Sequence, residues 1–63
     1  MTETDKEILI KITRDKTNAE IARELHISIR YAEKRIKKLK ADYGVKTRAG
    51  LAVEFLKENF ANL

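Results

Sequence analysis

The stretch Thr17–Val45, TNAEIARELHISIRYAEKRIKKLKADYGV, decides how this chain of 63 residues folds. It reads as a short capped helix, a tight turn and a longer two-sided helix. Thr17 caps the shorter helix, and Glu20 three residues on closes a capping box. Ala19, Ile21, Ala22 and Leu25 supply its apolar surface, with Ala22 small enough to let a neighbouring helix come close. His26 suits the left-handed turn that often follows a helix, since His tolerates that backbone better than most side chains. Ile27 plugs the core and Ser28 caps the next helix. That helix is expected over Ile29 to Tyr43, a rod of about 22 Å at 1.5 Å per residue. Ala32, Ile36, Leu39 and Tyr43 recur at helical spacing and form one apolar stripe. Arg30, Lys34, Lys37, Lys38 and Ala41 fall on the opposite side. Gly44 ends the helix as a left-handed cap, with Val45 over the break.

Helices are also expected on either side of this pair. Thr4 followed by Glu7 forms a capping box for a first helix from Asp5 to Thr13. Ile8, Leu9 and Ile12 share its inner face, and Ile10 falls off that face, either as a merely exposed residue or as part of a contact outside this chain. Arg14-Asp15-Lys16 is the first loop. Thr47 caps a fourth helix from Arg48 to about Phe60, with Leu51, Ala52, Phe55 and Phe60 facing inward. Val53, Leu56 and Lys57 point elsewhere.

Composition narrows the class. The length gives one domain, residues 1–63, with a small stability margin. The chain has no Cys, no Pro and one His, which excludes disulfides, thiolate chemistry and a cysteine-based zinc site. Two glycines and no proline favour helices joined by brief turns, so the expected fold is all-α with four helices. No apolar run reaches the roughly 20 residues of a membrane span. The acidic, polar start lacks a signal-peptide pattern, so a cytoplasmic location is expected. The net charge of +4 is unevenly placed. From Arg30 to Arg48 stand eight basic and two acidic side chains, so this segment carries +6 and the remainder −2. A local basic face points to an acidic partner more sharply than a basic average does.

Four blocks in register resemble the LuxR/GerE-type helix-turn-helix DNA-binding domain of bacterial transcription regulators. They are Met1-Thr2 with Asp5-Lys6-Glu7-Ile8-Leu9, Thr17-Asn18-Ala19-Glu20-Ile21-Ala22, Leu25-His26-Ile27-Ser28, and Gly44-Val45-Lys46-Thr47-Arg48. The resemblance spans nearly the whole chain without a gap. It implies a helix-turn-helix over residues 17–43, a fourth helix over 48–60 and a fold that is LuxR/GerE-like. It places Lys34 and Lys37 at positions that face DNA, makes Arg48 a structural tie between the fourth helix and the body, and gives the fourth helix to a homodimer contact. The chain departs from the family at Asp15, where a loop glycine is usual, and at Tyr31-Ala32-Glu33 and Arg35, where Thr-Val-Lys and His are usual.

The expected function is sequence-specific binding of double-stranded DNA with regulation of transcription, the third helix entering the major groove. Lys34 and Lys37 are the expected base-edge or phosphate contacts. Arg30, Arg35 and Lys38 are expected on phosphates, which dominate affinity. Tyr31 either works at the groove edge or packs on the second helix. Glu33 is expected to pair with Lys37 at i+4 rather than accept from cytosine N4. Thr17 and Asn18 stand at a helix start, whose N–H groups attract phosphate oxygens. Val53, Leu56 and Lys57 are the expected dimer surface. Two alternatives stay open: a sigma-factor-like promoter-recognition domain working on RNA polymerase, and a protein-interaction module that kept the fold and lost DNA. No nucleophile–base pair, metal cluster or phosphate loop stands in the sequence, so neither an enzyme nor a cofactor is expected. Opening on Met1 directly before the first helix fits either a stand-alone regulator or an excised piece.

Overall fold

A computed structural model of the protein describes residues 1–60. Four helices follow one another: α1 (Glu3–Thr13), α2 (Asn18–Leu25), α3 (Ile29–Tyr43) and α4 (Arg48–Phe60). No strand occurs among the described residues, and none of the helices is long and apolar enough to cross a membrane. The all-α, four-helix expectation is met.

The boundaries of α2 and α3 and the start of α4 have local chemical causes. Thr17 Oγ1 accepts from Glu20 N at 3.1 Å, and Glu20 Oε1 accepts from Thr17 N at 2.8 Å, which satisfies two donors at the start of α2. Ser28 Oγ accepts from Tyr31 N at 3.0 Å to start α3. Thr47 Oγ1 accepts from Gly50 N at 2.9 Å to start α4. The stops are left-handed. His26 has φ 57° after α2, Gly44 has φ 69° after α3, and Asp15 has φ 60° in the loop that follows α1. Behind these turns, Ile27 N returns to Ala22 O at 3.0 Å and Val45 N to Lys40 O at 2.9 Å, closing carbonyls that the helix ends would leave open.

The start of α1 differs from the sequence expectation. Thr2, not Thr4, is the cap, and Asp5, not Glu7, completes the box. Both pairs fit the Thr-x-x-acid pattern, so local sequence does not choose between them. Tertiary structure does: Asp5 is 2% exposed and lies under Arg35 of α3. Beginning the helix at Thr2 lets this one carboxylate serve both its own helix end and the third helix.

Ile8, Leu9, Ile21 and Leu51 are fully enclosed at the centre, joined by Ile12, Ile36, Leu39 and Phe55. Leu25, Ile27, Tyr43, Val45 and Ala52 pack around them half-buried. Ala22 and Ala32 are buried without being bulky, so α2 and α3 meet closely across the turn. Phe60, expected inward, is 51% exposed. Five residues at 100° each carry it about 140° round the helix from Phe55, off the inner face.

Candidate nucleic-acid interface

α3 is held on three sides, by α2, α1 and α4, and presents its fourth side to solvent. Its inner stripe is Ala32, Ile36, Leu39 and Tyr43, as the spacing predicts. Arg30, Tyr31, Glu33, Lys34, Lys37, Lys38 and Ala41 are all exposed. Arg30, Lys34 and Lys37 make no ion pair among the described residues, so their charge is available to an outside partner. Ile29, unremarked in the sequence, is also exposed beside Arg30. It falls near the apolar stripe of α3, but in the first turn of the helix it lies beyond the cover of the core.

The remaining basic residues of α3 are used differently. Lys38 Nζ lies 3.0 Å from Asp42 Oδ1, one turn along the same helix and open to solvent. Such a pair holds its charge loosely. Arg35 was expected on phosphates, but the structure turns it inward. Its Nε donates to Asp5 Oδ1 at 2.9 Å and its Nη2 to Asp5 Oδ2 at 2.8 Å. This two-pronged bond, with the Thr2 backbone N–H, holds the Asp5 carboxyl below the usual carboxylate range although burial acts against it. Arg35 is thereby a strut between α1 and α3 rather than part of the open cationic face. Tyr31 is 44% exposed, so its ring is partly covered by the fold and partly open to solvent at the start of α3.

Glu33 corrects a second expectation. It makes no salt bridge to Lys37, or to any other cation, among the described residues. The acid that does pair on α3's outer side is Asp42.

The start of α2 is fixed by α4. Arg48 Nη1 donates to Asn18 Oδ1, and Nη2 donates to the Lys16 carbonyl. Arg48 is therefore the structural tie expected of it. Asn18 spends its side-chain oxygen on that tie and Thr17 its hydroxyl on the cap, so what this helix start offers a phosphate is backbone N–H. Elsewhere one acid takes two cations of the fold. Glu24 takes Lys11 at 2.9 Å and Lys16 at 3.2 Å, and these ammonium groups lower its carboxyl pKa. Tyr43, at the inner end of α3, buries a hydroxyl that finds no hydrogen-bond partner among the described residues. Burial, with the Glu58 carboxylate nearby, pushes its pKa up.

A second exposed surface lies on α4. Val53 is 50% exposed and Leu56 41%, and with Ala49 and Phe60 they repeat at helical spacing. Ile10 of α1, 37% exposed, shares with Leu56 and Phe60 a groove of about 380 Å³ lined also by Phe55, Lys6 and Arg14. Lys57 stands at the edge of the stripe, with Glu54 3.7 Å away. Sequence reasoning found Val53 and Leu56 but not Phe60 or Ile10 as parts of one surface. The i, i+4, i+7, i+11 repeat through Ala49 was the available signal for Phe60.

No protein-family model, curated protein or solved structure matches this chain.

Proposed function

We propose that this chain is a LuxR/GerE-like helix-turn-helix domain that binds double-stranded DNA sequence-specifically and regulates transcription in the cytoplasm. α3 lies in the major groove, and α2 crosses the backbone and sets the angle. The observation that carries this reading is the row of exposed cations Arg30, Lys34 and Lys37, unpaired among the described residues, on a helix whose other faces are anchored. Lys38 and the α2 start add phosphate contacts. Two copies joined along the α4 stripe would read half-sites about 34–36 Å apart.

Binding of mixed duplex fragments at several salt concentrations tests it. Four neutralised phosphates give a slope of log K against log salt of about −3.6. Lys34→Ala and Lys37→Ala each make the slope shallower by about one phosphate where they meet the backbone, or cost about tenfold at the preferred site where they meet a base. Both leave the melting temperature unchanged, because both side chains are exposed. Affinity indifferent to salt would remove the DNA reading in favour of a protein partner.

A further inference from the structure

Glu33 is an exposed carboxylate on the face that Arg30, Lys34 and Lys37 make positive, and no cation among the described residues pairs with it. On the DNA-binding reading, on which this inference rests, such a group is costly beside phosphates. It gains only where a base edge offers a hydrogen-bond donor. Two bases present a donor in the major groove, the cytosine N4 amino group and the adenine N6 amino group. They differ in what lies beside it. Adenine places its N7 acceptor next to N6, and that lone pair repels the second carboxylate oxygen. Cytosine places a C–H there and repels nothing.

The geometry points to Glu33 as the residue that selects a C·G pair in the half-site, accepting from cytosine N4. The same charge acts as a penalty elsewhere: over thymine or guanine it faces acceptor oxygens, and along the backbone it faces phosphates. Glu33 thus lowers affinity for DNA at large while raising it for one base at one place. Its position suits the role. It is the fifth residue of α3, in the part of a recognition helix that reaches base edges, and one turn before Lys37.

Selection from a random duplex pool by the wild type, Glu33→Gln and Glu33→Ala tests this, followed by titration of the selected sites. The wild type should return a cytosine at one fixed place in each half-site, and replacing that cytosine should cost about tenfold to a hundredfold. Glu33→Gln should return adenine at that place, because an amide can donate to N7 while accepting from N6. Glu33→Ala should return no preference there and should bind non-cognate duplex more tightly than the wild type. Other positions of the site should stay as they are in all three proteins. Identical selected sites in all three would overturn the assignment while leaving DNA binding intact. A wild type that retains no duplex at low salt would overturn the DNA reading and this assignment together.

Discussion

The Asp5 carboxylate accepts three hydrogen bonds, two from the Arg35 guanidinium and one from Thr2 N at 3.4 Å. A buried charge without such partners would be expelled or neutralised. With them it joins the first turn of α1 to the middle of α3. Asp5→Asn keeps the shape and the link to Thr2 but loses the ionic fork, and should cost about 2 kcal/mol at neutral pH. In a domain of this size that lowers the melting temperature by about 10 °C. The cost should depend on pH in a defined direction. The folded pKa of Asp5 is lowered from its ordinary value of 3.8. Its stabilisation is therefore complete above pH 4 and drains as pH falls through the lower, folded value. Melting curves of both proteins between pH 7 and pH 2 should converge at the acid end. A gap that stays constant would assign the loss to packing instead of charge.

At the scale of the helix, the punctuation is legible in the sequence. Thr17 with Glu20, His26, Ser28 and Gly44 each act where their chemistry placed them, because each rule involves one residue and its own backbone. The start of α1 was not readable, since Thr2 and Thr4 offer equivalent caps and a contact 30 residues away breaks the tie. Glu33 and Lys37 failed for a related reason. An exposed pair one turn apart gains only about 0.3–0.5 kcal/mol, so spacing alone does not select which pairs form: Lys38 and Asp42 pair on this helix, and Glu33 and Lys37 do not. The outer face of α3 followed from spacing, whereas the withdrawal of Arg35 from it depended on where α1 begins. The Gly44 turn gives a clean test of the local rules. Its φ is 69°, and a Cβ added there would meet nothing within 4 Å. Gly44→Ala should therefore show the backbone penalty alone, about 1 kcal/mol or a fall of about 4–8 °C in melting temperature. Gly44→Asn should lose less, since Asn tolerates this region. Equal melting of Gly44→Ala and the wild type would mean that the α3–α4 turn is not held in the left-handed form.

For the molecule as a whole, α4 has two apolar sides and the fold covers one of them. Leu51 and Phe55 are buried, while Ala49, Val53, Leu56 and Phe60 lie open, the last two sharing a groove with Ile10. A chain of this length buries only about 60% of its extended surface, so covering the second side would add materially to a thin margin. If the cover is a second copy, stability follows concentration by mass action. The wild type should then melt higher as it is concentrated, and should sediment at twice the 7.3 kDa of one chain. Leu56→Glu places a charge in the middle of the stripe without disturbing the monomer core, because Leu56 is already half open. That variant should sediment at 7.3 kDa, with a melting temperature independent of concentration. It should bind a single half-site as well as the wild type does, yet lose the advantage of two half-sites set one helical turn apart. A wild type that stays at one chain's mass at high concentration, with and without a two-half-site duplex, would remove the second copy from the α4 stripe and leave α3 to act as a single reader.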